Sequence, residues 1–340
     1  MDFDILNAPD GRPSLECSIE PAINLHVERA EQHTWEWAVE IGLVHGEGLK
    51  YERFVAARFP WLAARAYPKV DAEQLELISD WITFLFFYDD MCDTQAATEP
   101  SYLEKLVARE DRLIALAFGA ELDESDSPLD RALVDILTRV AARSVGFWQL
   151  RLANHIEEYI EGCRWERIIR AQGRIPRLAT YSKLRPLISA VFPCFDFAGI
   201  CIDGQHGEFA RSVHVQQLEV MANNYICWVN DIYGLDKELG EQTTSNLVIV
   251  LAHQHDLTWD QAIDRAIDMC NAELEAFVEL ERQLEQLGDP DCQAYVRSLE
   301  AWMRGNLDWY SETHRYRRDG EQAMAACWST WTRWSMAGTE

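Results

Sequence analysis

Three carboxylates follow an apolar run in the first third of the chain, and their spacing suits a metal ion. The run from Trp81 to Tyr88 ends in Asp89, Asp90 and Asp93. On a helix, Asp89 and Asp93 share one face and lie about 6 Å apart along the axis. Oxygen ligands without a nearby His or Cys suit Mg²⁺ or Mn²⁺, which complete their shell with water and substrate phosphate. The cluster predicts either a divalent-metal site for a phosphorylated substrate or a solvated helix end.

A second polar element lies about 140 residues further along the chain. Asn230, Gly234 and Glu238 are spaced four residues apart, so they form one stripe on a helix. The Asn230 amide oxygen and the Glu238 carboxylate are both possible metal ligands, and Lys237 could reach an anion. The alternative is an ordinary solvated helix face, since these residue types are common on surfaces.

A third element lies close to the end of the chain. The Arg315 guanidinium presents a planar fork that suits phosphate, and the Tyr316 hydroxyl adds a hydrogen-bond donor. An Arg-Tyr pair carries no functional information by itself. Its value depends on its order after the two acidic elements.

Taken in this order, the three elements resemble the motifs of the bacterial class I terpene synthases (terpene cyclases). Asp89-Asp90-x-x-Asp93 is similar to the first metal motif of that family, and Asn230-Asp231-x-x-Gly234-x-x-Lys237-Glu238 is similar to the second. Arg315-Tyr316, preceded by Trp309, is similar to the C-terminal pair. The resemblance spans nearly the whole chain, and the joint match is far more specific than any one motif.

Two positions leave alternatives open. The family places a diphosphate-sensing arginine on a broken helix before the second motif, which points to Arg185, with Lys183 as a rival. The middle position of the second motif is usually Ser or Thr, whereas Gly234 supplies no hydroxyl here. A water molecule could ligate the metal in its place, which we favour, or the site could be weakened.

The resemblance implies a role for each matched residue. Three Mg²⁺ ions are expected, with Mn²⁺ as a substitute. Their ligands would be Asp89, Asp93, Asn230, Glu238 and, through water, Gly234. Asp90 would orient the cluster or pair with Arg315. Diphosphate would be bound by Arg185, Lys237, Arg315 and Tyr316. Phe86, Trp309 and Thr83 would line the pocket, although core packing is the alternative for Phe86 and is favoured for Phe87 and Trp228.

The implied function is a lyase that ionises a linear isoprenyl diphosphate and cyclises the carbocation. Farnesyl diphosphate is the favoured substrate, with geranylgeranyl and geranyl diphosphate as alternatives. A chain-elongating prenyl transferase is disfavoured, because no Arg/Lys cluster near Asp89 would bind a second diphosphate. A non-catalytic helical scaffold with a decayed metal site is the remaining alternative.

The elements that must position these residues are helices. Apolar spacing predicts an all-α protein of ten or more helices, with an N-terminal arm at 1–25 and a single domain at 26–340. The resemblance implies a class I terpenoid synthase bundle that encloses a central apolar cavity. The segment 178–201 contains Pro186, Pro193 and Gly199, which predicts a kinked or broken helix or a plain helix–loop boundary. Further helices are predicted from about 26 and at 49–65, 71–95, 102–119, 129–150, 151–170, 208–239, 244–254, 259–286, 290–316 and 322–336.

Composition narrows the possible partners. The chain has 31 basic and 57 acidic residues among 340, a net charge of −26. Nucleic acid is therefore an improbable partner, since binding it depends on Lys and Arg.

The nine Cys form no C-x-x-C pair, and no apolar run reaches a membrane span of about 18 residues. The sequence predicts a cytoplasmic protein without stable membrane insertion, and the family resemblance suggests a homodimer.

Overall fold

Thirteen α-helices make up the part of the chain that the computed structural model describes, which is residues 15–92, 100–203, 207–241, 243–285 and 289–313. No strand occurs within these ranges. The helices are α1 (Val27–Ile41), α2 (Leu49–Ala57), α3 (Phe59–Ala66), α4 (Ala72–Cys92), α5 (Pro100–Ala117), α6 (Pro128–Ala141), α7 (Phe147–Ala171), α8 (Leu178–Leu184), α9 (Val191–Asp203), α10 (Val213–Glu241), α11 (Leu247–His255), α12 (Trp259–Glu285) and α13 (Pro290–Glu312). The all-α prediction is confirmed.

Polar caps set where several of these helices begin. Ser127 caps α6 in a reciprocal capping box with Asp130, and Asp289 caps α13 just before Pro290. Asn246 caps α11 by accepting hydrogen bonds from the backbone N–H groups of Val248 and Ile249. Such caps satisfy N–H groups that have no partner inside the helix.

The helices pack around a continuous apolar core. α10 packs against α12 and α13, α13 packs against α3, and α4 packs against α1, α3 and α6. The approach of α13 to α3 depends on Gly305, where an added Cβ would lie 2.7 Å from the backbone carbonyl carbon of Arg65. α4 and α13, which carry Asp89 and Trp309, are therefore both held against α3.

Several predicted boundaries are wrong. The predicted helix at 49–65 is two helices, because Arg58 takes a left-handed conformation (φ 54°) and a new helix starts at Phe59, with Pro60 in its first turn. The predicted boundary at 150/151 lies instead at 142–146, where Gly146 has φ 41°. The predicted helix at 208–239 begins as a short 3-10 turn, Phe209–Arg211, and the α-helix itself starts at Val213.

The segment 178–201 is a broken helix. α8 ends at Leu184, a 3-10 turn follows at Leu187–Ser189, and Ala190 takes a left-handed conformation (φ 57°) before α9 begins. Pro186 precedes the turn, as expected for a residue that lacks a backbone donor. The break confirms the first of the two alternatives for this segment.

Some predictions fall outside the described residues. These are the metal ligand Asp93, the pair Arg315 and Tyr316, and the helix at 322–336. Of the predicted arm, residues 15–25 are non-helical, and Leu15 and Asn24 are buried against the helices. No helix in the described ranges is long and apolar enough to cross a membrane.

Candidate functional site

A pocket of about 220 Å³ opens between α4, α7, α10, α13 and the α8–α9 break. It brings together residues from three predicted motifs that are far apart in the chain. The predicted site residues that line it are Phe86, Asp89, Arg185, Asn230, Lys237, Glu238 and Trp309.

One stripe of α4 forms a wall of this pocket. Ile82, Phe86 and Asp89 follow each other at steps of four and three residues, so they share a helix face. Asp89 is half-buried at the end of the stripe. The structure does not place Thr83 at the pocket, contrary to expectation, because this residue lies round the helix from the stripe and its side chain is fully buried. Asp90 is exposed and also lies off the stripe.

The Asn230 amide on α10 is fixed by two partners. Its Nδ2 donates a hydrogen bond to the Tyr310 hydroxyl at 2.6 Å, and its Oδ1 accepts one from Arg185 Nη2 at 2.9 Å. Tyr310 is itself stacked on Tyr233, with ring centroids 4.5 Å apart and planes 4° apart. The nitrogen is thus turned towards α13, which leaves the oxygen on the side of Arg185.

Arg185 follows directly after α8 and is buried against α10. Its Nε donates to Asp231 Oδ1 at 2.8 Å, while the other carboxylate oxygen accepts from the Tyr181 hydroxyl and from the Leu247 N–H. Burial opposes the charged guanidinium, but the Asp231 carboxylate outweighs it, so the pKa of Arg185 lies above its ordinary value. The rival Lys183 is exposed and does not line the pocket.

Glu238 lies two turns after Asn230 on the same helix. Its Oε2 accepts a hydrogen bond from Asn246 Nδ2 at 2.9 Å. Burial, reinforced by the nearby Asp231 carboxylate, raises the pKa of Glu238 to about 8. A cation bound beside this carboxyl group would favour the ionised form and lower the pKa again.

The break between α8 and α9 forms another part of the pocket wall. Ile188 and Ser189 line the pocket, and the Ser189 hydroxyl lies 2.8 Å from the Pro186 carbonyl oxygen and 2.9 Å from Asn223 Oδ1. Asn223 Nδ2 donates to the same Pro186 carbonyl at 3.1 Å. The break is thus tied to α10, the helix that carries Asn230 and Glu238.

Aromatic rings from α4 and α13 cover another part of the pocket wall. Phe86 stacks on Phe59 with centroids 4.1 Å apart, and Trp309 lies 5.6 Å from Phe86. Phe86 and Trp309 line the pocket and also pack into the core, so the two alternatives for Phe86 both hold. Phe87 and Trp228 do not line it, in agreement with the favoured core-packing alternative.

Several residues at the pocket were missed by the sequence reasoning. α7 contributes Glu166, Arg167 and Arg170, and Arg167 is held at 2.6 Å by the fully buried Glu110. The signal that could have found them is their spacing, since residues 163, 166, 167 and 170 share one face of a helix. Tyr310 and Asn246 gave no such signal, because their roles depend on contacts between helices.

Four cysteine side chains also line the pocket. Burial raises the pKa of Cys92 and Cys194 to about 12, and that of Cys227 to about 11; it also raises the pKa of Cys163. The thiols therefore stay protonated at neutral pH. The pocket wall presents no thiolate, which is the nucleophilic form of cysteine.

The donor set at the pocket fits a hard divalent cation. Asp89 supplies a carboxylate from α4, and Asn230 and Glu238 supply an amide oxygen and a carboxylate from α10. Oxygen ligands of this kind favour Mg²⁺ or Mn²⁺. Among the described residues, which exclude Asp93, no group of three or more His, Cys, Asp or Glu side chains is placed to hold a metal. Arg185 and Lys237 add positive charge on the α10 side, as an anionic ligand would require.

Comparison with known proteins identifies relatives along almost the whole chain. Residues 80–276 match the family model described as terpene synthase family 2, C-terminal metal binding. A (+)-T-muurolol synthase of Roseiflexus castenholzii, described as cyclizing (2E,6E)-farnesyl diphosphate, is 34% identical over 93% of this chain and 98% of its own length. A germacrene A synthase of Nostoc punctiforme is 30% identical over 89% of this chain and 94% of its own.

Solved structures show the same fold. A linalool/nerolidol synthase from Streptomyces clavuligerus superposes with a TM-score of 0.78 at 22% identity, covering 87% of this chain and 100% of its own. A germacradien-4-ol synthase from Streptomyces citricolor gives a TM-score of 0.76 at 24% identity, covering 90% and 100%. At these identities the match concerns the helical architecture alone.

Proposed function

This chain belongs to the terpene synthase family, and we propose that it is a Mg²⁺-dependent sesquiterpene cyclase that acts on farnesyl diphosphate. One observation carries the proposal: oxygen donors from α4 and α10 face the same pocket as four cationic side chains and an aromatic wall. In such a pocket, the oxygen donors and cationic side chains would bind a metal-bound diphosphate, and the aromatic rings would contact an apolar carbon chain. The choice of farnesyl diphosphate follows the substrate named for the T-muurolol synthase relative.

Asp89, Asn230 and Glu238 are the described residues that would hold the metal, with Asp93 as a further proposed ligand. When bound, Mg²⁺ supplies Lewis-acid stabilisation of the charge that develops on the leaving diphosphate. The ion count of three and the roles of Arg315 and Tyr316 are part of the proposal.

The cationic side chains would bind the diphosphate directly. Arg185 presents a fork of N–H donors that is already held in place by Asp231, and Lys237 adds a second positive charge at the pocket. Donors fixed before the reaction stabilise developing charge without the cost of reorientation. Arg185 would therefore exchange its hydrogen bond to Asn230 Oδ1 for one to the diphosphate.

The rest of the pocket would guide the carbocation. The rings of Phe86 and Trp309 offer faces that attract a cation. The protonated thiols in the pocket lining add bulk without a thiolate. A wall of this composition excludes water, so the cation rearranges before it is quenched.

A product assay tests this proposal. Purified protein with Mg²⁺ is incubated separately with geranyl, farnesyl and geranylgeranyl diphosphate, and the organic extract is analysed by gas chromatography–mass spectrometry. We expect a cyclic C15 hydrocarbon or alcohol from farnesyl diphosphate, which disappears when EDTA is added. Cyclic product from another chain length would overturn the substrate assignment, and no product at all would overturn the enzymatic proposal.

A further inference from the structure

The Glu238 carboxylate occupies the space that a side chain at position 234 would need. Gly234 is buried, and a Cβ built on it would lie 2.8 Å from Glu238 Oε1 and 3.5 Å from Glu238 Cδ. Real Cβ atoms do not approach an oxygen so closely. The two residues are four apart on α10, and helical side chains lean towards the N-terminal turn, so Glu238 folds back over the glycine.

The second oxygen of the same carboxylate is held from another helix. Asn246 Nδ2 donates to Glu238 Oε2 at 2.9 Å and to the Asp231 backbone carbonyl at 2.7 Å. Asn246 Oδ1 meanwhile accepts from the first N–H groups of α11, and the residue is fully buried. Every hydrogen-bonding atom of this amide is engaged, so its position is fixed relative to α10.

We propose that Gly234 and Asn246 together form a seat for the Glu238 carboxylate, in which Glu238 takes the space of the missing residue 234 side chain and Asn246 positions it as a metal ligand. The inference rests on the proposed function, since it concerns the metal site of that activity. Gly234 is then a steric requirement, and Asn246 is a positioning residue that does not itself touch substrate.

This seat differs from the water ligand that the sequence suggests. If water replaced a lost hydroxyl, the volume beside Gly234 would be open, and a serine there would restore a ligand. The volume instead contains Glu238 Oε1. Any Cβ at position 234, with or without a hydroxyl, must push Glu238 Oε1 aside and so shift the carboxylate that Asn246 holds. The displaced group is the flexible end of a side chain, so the fold survives the substitution.

Two substitutions at one position separate these alternatives. Gly234→Ala and Gly234→Ser are titrated with Mg²⁺ in the presence of inorganic diphosphate by isothermal calorimetry, and their Mg²⁺ half-saturation is measured in the turnover assay. The seat predicts that both variants weaken Mg²⁺ binding by a similar factor, about tenfold or more. A serine variant that binds like the wild type, or more tightly, while the alanine variant is weakened would overturn the seat in favour of the water ligand.

Gly240→Ala is the matched control on the same helix. An added Cβ at this exposed glycine meets nothing within 4 Å. Both substitutions gain helix propensity, so we expect Gly240→Ala to melt at or above the wild-type temperature. Gly234→Ala also shifts the Glu238 carboxylate, so we expect it to stay folded without that gain. Only the substitution at position 234 is expected to change Mg²⁺ binding. Equal effects of the two substitutions on Mg²⁺ binding would contradict the proposal.

Asn246 is tested with substitutions that preserve its capping role. Ser and Asp both cap helices, but Ser lacks the amide donor and Asp sets a carboxylate beside Glu238. We expect Asn246→Ser to weaken Mg²⁺–diphosphate binding about tenfold and Asn246→Asp to weaken it more. A purely structural role would lower the melting temperature and leave the Mg²⁺ half-saturation of the folded enzyme unchanged, which would overturn the assignment.

The wild-type measurements keep this inference distinct from the proposed function. Absence of Mg²⁺-dependent diphosphate binding and of product in the wild type would overturn the proposed function. Normal binding and turnover in the wild type, with unchanged Mg²⁺ affinity in Gly234→Ala and Asn246→Ser, would overturn the seat alone.

Discussion

At the scale of single residues, the chemistry depends on a few oxygen atoms held at defined positions. Asp89 faces the pocket from α4, whereas Asn230 and Glu238 face it from α10. Each of the two proposed ligands on α10 is hydrogen-bonded to a residue outside that helix, Asn230 to Tyr310 and Glu238 to Asn246. Such partners typically change metal affinity by 10–100-fold when they are removed. Removal of the Tyr310 hydroxyl or the Asn246 amide should therefore weaken metal binding more than it destabilises the fold.

Removal of the Asp89 carboxylate should abolish turnover. Asp89→Ala takes away the one carboxylate that the described part of α4 presents to the pocket, and Asp89→Asn leaves a neutral oxygen in its place. We expect product formation to fall at least 100-fold in the alanine variant and less in the asparagine variant, as measured by gas chromatography. The exposed Glu275 on α12 provides the control substitution, Glu275→Ala. Near wild-type activity in Asp89→Ala would contradict the metal assignment.

The orientation of Asn230 should depend on one hydroxyl group. Tyr310→Phe keeps the ring stacked on Tyr233 but removes the acceptor of the Asn230 Nδ2 hydrogen bond. We expect the Mg²⁺ half-saturation to rise about tenfold, whereas the free energy of unfolding changes by about 1 kcal/mol.

Mg²⁺ titrations of turnover, with urea unfolding alongside, measure the two effects of this substitution. Tyr51→Phe on α2, outside the pocket lining, is its control. An unchanged Mg²⁺ half-saturation in Tyr310→Phe would show that the hydroxyl does not orient the Asn230 amide.

At the scale of elements, the sequence predicts the long helices better than the breaks between them. Apolar periodicity sustained over many residues identifies α4, α12 and most of α10, and Pro186 signals the broken helix between α8 and α9. The break at Arg58 escapes prediction, because a non-glycine residue adopts φ 54° there under tertiary packing. The break before α7, where Gly146 takes φ 41°, also escapes prediction.

The sequence likewise predicts some residues of the candidate site and misses others. The family motifs locate Asp89, Arg185, Asn230 and Glu238, and the structure brings these residues to one pocket. The motifs do not reveal Tyr310 as the partner of Asn230, because the two residues are 80 positions apart in the chain. The resemblance also predicts Thr83 at the pocket, where the structure does not place it. Thr83 follows Ile82 directly on α4, and this one step turns its side chain away from the pocket face.

The approach of α13 to α3 should tolerate no side chain at its closest point. An added Cβ at Gly305 would lie 2.7–2.9 Å from backbone atoms of Arg65 and Ala66, which cannot rotate away. We expect Gly305→Ala to lower the free energy of unfolding by about 1–3 kcal/mol. It should also reduce turnover, because Asn306 and Trp309 follow on the pocket side of α13.

Urea unfolding of Gly305→Ala beside Gly240→Ala isolates the steric effect, since both substitutions exchange the same residues on a helix. The exposed control position should be neutral or stabilising, because its Cβ meets no neighbour. Equal stability of the two variants would mean that the helices are not held together at Gly305.

At the scale of the whole molecule, the net charge of the protein opposes the approach of the proposed substrate, whereas the cationic side chains of the pocket favour it. The net charge is −26, and an isoprenyl diphosphate is itself an anion. Charge of one sign over a surface acts at distances up to the Debye length, about 10 Å at 0.1 M salt. Attraction by Arg185, Lys237 and bound Mg²⁺ acts only close to the pocket. The long-range repulsion should therefore slow the association of the substrate, and the local positive charges should hold it once it reaches the pocket.

The ionic-strength dependence of turnover tests this balance. At saturating Mg²⁺, we expect kcat/KM to rise severalfold between about 10 and 200 mM NaCl, because salt screens the long-range repulsion more than the short contacts in the pocket. The value of kcat should change less, since it describes the bound complex. Replacement of exposed carboxylates outside the pocket lining, such as Glu40→Gln with Glu275→Gln, should reduce the slope. A fall of kcat/KM with salt would show instead that the local cations dominate the encounter, as they do in enzymes that steer anionic substrates.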